Sequence, residues 1–211
     1  MPDDAELARL AGAASFLLLN APDAPMLDAL RAQTGQVLDL VHARQDFYDF
    51  LCVPQSGCFL PPYAHVLSAA QETDEFWHFP PARAGGGDAL MPWYDAAEFR
   101  PADLRADPIL GASNRPLDHV GVLLAFLALL LDSATDGEAD RAVVAEFVGD
   151  HVQPWAGVFV RLLTRSGSDY LELVGEAVGD LVAALRAVHP PRAGAGEPRE
   201  PTWIPIVPEL R

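Results

Sequence analysis

The stretch Asn114-Arg-Pro-Leu-Asp-His119 followed by Val120-Gly-Val-Leu-Leu-Ala-Phe-Leu-Ala-Leu-Leu-Leu131 decides how this chain is read. Its second part is an unbroken apolar run of twelve residues. A membrane span needs roughly 20, so the run predicts a helix buried in a protein core. Its first part is a turn shaped by Pro116 that delivers an acid and an imidazole, Asp118 and His119, to the start of that helix. Two readings follow. Asp118 caps the helix, its carboxylate accepting from the free N–H groups of the first turn; or the Asp118-His119 pair is a recognition site.

Working outward, apolar residues recur at helical intervals. A first helix carries Leu7, Leu10, Ala14, Leu17 and Leu18. A second is expected from about Asp23 to Gln33, opened by Asp23 with Pro25 in its first turn and closed before Gly35. A third uses Val37, Val41, Phe47, Tyr48 and Leu51 and ends at Pro54. A fourth begins near Pro62 and buries Tyr63, Val66, Leu67 and Ala70. No strand alternation stands out.

From about residue 76 to 115 the texture changes to Pro- and Gly-rich sequence with short helical pieces around Trp93 to Phe99, which predicts a connector between halves at about 1–75 and 116–190. Gly85-Gly-Gly87 lacks the strand and the Gly-Lys-Ser/Thr of a phosphate loop and is expected to be a mobile surface loop. In the second half Glu138 to His151 forms a helix, Pro154 breaks it, and a last long helix starts near Asp169 with Tyr170, Leu171, Val174, Val178, Leu181, Val182, Leu185 and Val188 on one stripe. Beyond His189 six prolines exclude a helix, so residues 191–211, with Trp203 and Ile204, form an extended tail. The expectation is one all-α domain over residues 1–190.

The formal charge is −16, from 30 acids against 14 bases, all of them arginine. Such a balance disfavours nucleic-acid backbones, which need clustered positive charge. The Met-Pro-Asp-Asp start has no basic n-region, and a cytoplasmic location is expected. Cys52 and Cys58, separated by five residues, fit neither a redox pair nor a zinc rhythm and are read as reduced packing residues; His42 and His65 show no metal-ligand spacing.

Four segments, in this order, resemble the TorD family of cytoplasmic chaperones for molybdenum enzymes: Gln45-Asp-Phe-Tyr-Asp-Phe-Leu-Cys-Val-Pro54; Pro61-Pro-Tyr-Ala-His-Val66, with His65 where the family's serine is expected; Pro116-Leu-Asp-His119 with its apolar helix; and Phe147-Val-Gly-Asp-His-Val-Gln-Pro-Trp155. The resemblance covers about Gln45 to Trp155. It implies a single-domain helical bundle of the TorD type that binds the twin-arginine leader and apo form of a molybdoenzyme catalytic subunit, assists cofactor insertion and delays export. It implies a monomer or a domain-swapped dimer. No resident cofactor is expected; transient contact with the molybdopterin cofactor or a guanine nucleotide stays open, although no motif supports it.

A leader of this kind is a basic pair followed by an apolar stretch, so its receptor needs acid beside an apolar surface. Asp118 is the candidate for the guanidinium, His119 for a pH-sensitive hydrogen bond, and Tyr63, on a proline-framed turn, for an apolar platform. Pro62, His151, Pro154 and Trp155 form a possible secondary motif, in which His151 is expected to stabilise the helix break through a ring-to-carbonyl bond. Two other classes stay open: a helical adaptor for another partner, and a small hydrolase using Asp118 and His119 as an acid–base pair. Adjacent residues at a helix start point in different directions, which weighs against the second.

Overall fold

The computed structural model describes residues 2–73, 76–83, 85–110, 116–134 and 138–190. The expected tail, with Trp203 and Ile204, lies outside the described residues. Aspartates start the first helices as their sequence suggests. Helix α1, Asp4–Leu19, is capped by Asp3, whose carboxylate accepts from the Glu6 N–H at 2.8 Å. Helix α2, Ala24–Thr34, is capped by Asp23 and carries Pro25 in its first turn; it ends at Gly35, whose φ of 76° is open to glycine at little cost.

Helix α3, Leu40–Asp46, runs into a π turn, Phe47–Cys52. Val37 and Val41, expected on its buried face, are 72% and 73% exposed. Val37 precedes the helix start at Leu40, and the helix buries only Ala43 before the π turn changes the phase, so a uniform 3.6-residue count selects the wrong face. Leu10 of α1 is likewise exposed. Helix α4 is short, Ala64–Ser68; Tyr63 caps it half-buried rather than entering the core, and Ala70 lies past its end.

The segment after α4 does more than connect. A ribbon of two-residue strands, β1 Gln71–Glu72 and β2 Trp77–His78, leans on the second half through Arg161, whose guanidinium sits 5.3 Å from the Trp77 ring centre. Strands this short cannot show alternation in sequence. Helix α5, Met91–Ala96, places Trp93 and Tyr94 in the core.

Helix α6, Val120–Ser133, is the expected central helix: Val120, Leu123, Leu124, Phe126 and Leu127 are completely buried. The Phe126 ring lies 4.9 Å from Tyr94, 5.1 Å from Phe99 and 5.0 Å from Phe147, largely edge to face, so three elements meet on one side chain. Helices α1 and α6 run antiparallel and close together. A Cβ on Gly121 would lie 2.7 Å from Leu19 Cγ, and one on Gly12 would lie 4.0 Å from Ala128 Cβ.

Helix α7, Glu138–Phe147, continues through a second π turn, Val148–Val152, into α8, Gln153–Thr164, with Pro154 in its first turn. The predicted break therefore takes the form of an inserted wide turn. Ser168 caps α9, Asp169–Val188, and its hydroxyl also donates to Asp46 at 2.6 Å, tying α9 to α3. The stripe from Tyr170 to Leu185 is buried as expected. At the far end His189 Nε2 meets Asp4 Oδ1 at 2.8 Å, fastening the end of α9 to the start of α1.

Candidate functional site

The segments before α4 and α6 meet side by side, and each supplies what the other's helix start lacks. The first turn of any helix has N–H groups without intrahelical acceptors. Here the Val120 N–H of α6 donates to the Pro62 carbonyl at 2.9 Å, and the Ala64 N–H of α4 donates to the Asp118 carbonyl at 2.9 Å. Tyr63 and His119 thereby form a single antiparallel bridge, and their rings meet edge to face at 5.7 Å.

Asp118 does not cap its own helix. Its Oδ2 accepts from the backbone N–H of His65 at 2.6 Å and pairs with His65 Nδ1 at 2.7 Å, so the carboxylate caps α4 across 53 positions of sequence. The cap of α6 is His119, whose Nδ1 accepts from the Gly121 N–H at 3.1 Å. An accepting Nδ1 leaves the neutral ring's proton on Nε2. The expectation that Asp118 caps α6 is thus corrected: the turn sends Asp118 sideways to α4 and leaves the capping to its neighbour.

A glycine turn covers this joint. His65 Nε2 accepts from the Arg83 N–H at 3.1 Å, and the Leu117 N–H donates to the Gly86 carbonyl at 3.2 Å. A Cβ on Gly86 would lie 2.2 Å from the His65 ring, and one on Gly87, where φ is 89°, would lie 2.6 Å from the Asp118 nitrogen. The triplet expected to be a loose surface loop is therefore packed onto the His65–Asp118 pair, and close approach is why glycine is required.

Asp118 and His119 are each 3% exposed, and Tyr63 is half-buried. Asp118 Oδ1 is buried and accepts no hydrogen bond among the described residues. The Asp118–His119 acid–base pair of the hydrolase reading does not form, because Asp118 engages His65 and His119 Nδ1 engages Gly121. Nor is His65 poised as a base, since its outer nitrogen is occupied by the Arg83 N–H.

Tyr63 opens onto a surface groove lined by Pro54, Phe59, Pro61, Phe79 and Pro80, with Cys52 at its floor. Phe59 and Phe79 were not singled out in the sequence, although a signal was there: Phe59-Leu-Pro-Pro-Tyr63 and Phe79-Pro-Pro81 both set an aromatic beside paired prolines. Cys52 and Cys58 are not joined in a disulfide. Among the described residues no three His, Cys, Asp or Glu side chains gather as a metal site.

The secondary motif is structural in its bonding. His151 lies in the second π turn with its ring 5.6 Å from Trp93 and 5.2 Å from Phe147. The bond at the break is the reverse of the one expected: the Trp155 indole N–H donates to the His151 carbonyl at 2.6 Å. Burial holds the His151 pKa below its ordinary value, with nearby Asp150 opposing the shift. Helix α5 joins the two motifs, Trp93 touching His151 while the Tyr94 hydroxyl donates to the Leu117 carbonyl at 3.0 Å. Burial pushes the Tyr94 phenol far above its ordinary range, Asp118 adding to the effect, so it stays a donor.

Among the described residues no helix is long and apolar enough to cross a membrane. No curated protein matches the chain. The model of one protein family, described as Nitrate reductase delta subunit, matches residues 19–161, which take in α2 to α7, most of α8 and every residue of the joint and of the secondary motif. A match over more than half of the chain, on an all-α fold with the four motifs in order, shows that the chain belongs to the nitrate reductase delta subunit family, the TorD-type chaperones of molybdoenzyme maturation.

Proposed function

We propose that this chaperone binds the arginine-containing leader of an apo-molybdoenzyme catalytic subunit, holding the subunit back from export while its cofactor is inserted. The groove beside Tyr63 takes the apolar part of the leader. Pro54, Pro61 and Pro80 give it fixed walls, and Phe59, Tyr63 and Phe79 offer aromatic surface to an extended peptide. The arginine is drawn to Asp118 Oδ1 when the glycine turn over the joint moves aside, and His119 stiffens the wall that carries Tyr63. The observation that carries the reading is a buried carboxylate whose Oδ1 is an unused acceptor among the described residues, joined through the Tyr63–His119 bridge to an apolar groove. A guanidinium is the donor that suits such a group, because it can bring several N–H bonds to one carboxylate.

The test is calorimetry of the full chain against a synthetic peptide with an Arg-Arg pair followed by an apolar stretch, at low and high ionic strength. Tyr63→Ala weakens binding at both salt concentrations. Asp118→Asn, checked for folding by circular dichroism, loses about 2–5 kcal/mol, the range for a desolvated arginine pair rather than the about 0.2–1 of an exposed one. Undiminished affinity in a folded Asp118→Asn protein removes Asp118 from the site. Failure of the wild type to bind any such peptide leaves a helical adaptor that engages its client elsewhere.

A further inference from the structure

The two nitrogens of the His65 ring serve partners of opposite kind. Nδ1 meets Asp118 Oδ2 at 2.7 Å, and Nε2 accepts from the Arg83 N–H at 3.1 Å. A carboxylate takes a donor and a backbone N–H takes an acceptor, so the two contacts together fix a neutral ring with its proton on Nδ1. The side chain is 18% exposed, and water reaches the ring.

A second proton on this ring goes to Nε2 and makes both nitrogens donors. The contact with Asp118 becomes an ion pair and strengthens. The contact with Arg83 is lost, because two N–H groups then face each other where a hydrogen bond had been. What rests on that contact is the glycine turn. A Cβ on Gly86 would collide with the His65 ring, and one on Gly87 would lie 2.6 Å from the Asp118 nitrogen. Three glycines bring no side chains to interlock with the joint, and besides the Arg83 bond the turn is joined there by the Leu117 N–H, which donates to the Gly86 carbonyl at 3.2 Å.

We propose that His65 is a proton-operated latch: charging its ring releases the Arg83 N–H and frees the turn of Gly85 to Gly87 from its seat over Asp118. The charged ring keeps Oδ2 engaged, so Oδ1 is the acceptor left for an incoming donor. The latch deepens the proposed function by naming what moves the turn, and its meaning for leader binding rests on that reading; the release of the turn does not. The other titratable and charged groups around the ring are His119 beside Asp118, Tyr63 with its ring centre 6.2 Å away, Tyr94 of α5, and Arg83 and Asp88 at the ends of the turn. Helix α8 also packs on α4, with its Arg161 and Arg165 paired to Glu72.

Heteronuclear NMR of the full chain from about pH 8 to about pH 5, a window around the ordinary histidine value of about 6.5, tests the latch. The Arg83, Gly86 and Gly87 amides shift with the same midpoint as the His65 ring. Protection of the Arg83 amide from exchange, corrected for the intrinsic effect of pH, falls on the order of tenfold across the window. Two variants separate this ring from the other titrating groups. His65→Gln places an amide oxygen as far out as Nε2 and takes no proton, so the turn stays seated at both ends of the window; His65→Asn stops short of that position and leaves the turn loose at both. Their outcomes are opposite, so one misfolded variant does not remove the test. A His65 ring that charges without moving the three amides, a ring that stays neutral throughout the window, or a His65→Gln turn that still loosens as pH falls overturns the latch. Calorimetry with the Arg-Arg peptide at about pH 8 is the separate arm: absence of binding removes the leader reading and leaves the latch, whereas a turn indifferent to pH removes the latch and leaves the leader reading.

Discussion

Removing the Asp118 carboxylate measures how strongly the two helix starts are clasped. Asp118→Ala deletes two bonds at once, from the His65 N–H at 2.6 Å and from His65 Nδ1 at 2.7 Å. Bonds to a charged acceptor contribute about 1.5–3 kcal/mol each, which gives about 3–6 in sum. Two effects reduce this. The wild-type carboxylate is buried and loses hydration on folding, a cost the alanine protein avoids, and the His65 side chain keeps 18% exposure, so its ring can find water. A net loss of about 2–4 kcal/mol is expected. Asparagine retains one oxygen in the place of Oδ2 and both bonds with it, at the lower strength of a neutral acceptor, while its amide group enters the site of the unpaired Oδ1. Its loss is about 1–3 kcal/mol. Urea melts followed by circular dichroism give both values, with an unchanged m-value as the sign that a two-state comparison is valid. A loss under about 1 kcal/mol for the alanine variant would refute the clasp.

Phe126→Ala removes the ring on which Tyr94, Phe99 and Phe147 converge and should cost about 3–5 kcal/mol in the same melts, through lost burial and a residual cavity. Two helical glycines should respond with opposite sign. Gly157→Ala meets no atom within 4 Å and stabilises α8 by about 0.5–1 kcal/mol, whereas Gly121→Ala drives a methyl to 2.7 Å from Leu19 Cγ and destabilises by about 1–3 kcal/mol; equal shifts on thermal melting would show that α1 and α6 are further apart. For His151 the folded pKa lies below the unfolded one, so its neutral form favours the fold. Its contribution is complete above the unfolded value of about 6.5 and is lost as pH falls from there through the folded pKa. His151→Leu should flatten the pH dependence of stability in that window, and an NMR titration of His151 at or above 6.5 would contradict its burial.

What could be read from the sequence depended on whether the signal was local. Asp23, Pro25 and Gly35 bound α2 because a cap, a first-turn proline and a left-handed glycine act on their immediate neighbours. The stripe of α9 and the apolar run of α6 were legible for the same reason. The exposed Val37 and Val41 misled because helical phase is a sum over residues, set here by a start at Leu40 and followed by a π turn that no composition marks. At the joint, the identity of Asp118 and His119 was visible but the partner of Asp118 was not. His65 lies 53 positions away, and nothing along the chain says that a carboxylate beside one helix will cap another. Gly86 and Gly87 announced flexibility in sequence, but in space they announce a close approach to His65 and Asp118.

The clasp between α4 and α6 is made wholly of contacts between a segment before residue 66 and one after residue 116, with the glycine turn lying between them in sequence. None of those bonds requires both segments to belong to one polypeptide. If two molecules traded their C-terminal halves through the intervening stretch, each would receive an Asp118 for its His65 and a His119 for its Tyr63, and two complete joints would be rebuilt from mixed parentage. Exchange of this kind would cost the joint no bonding, so assembly state and integrity of the joint can vary independently in this fold.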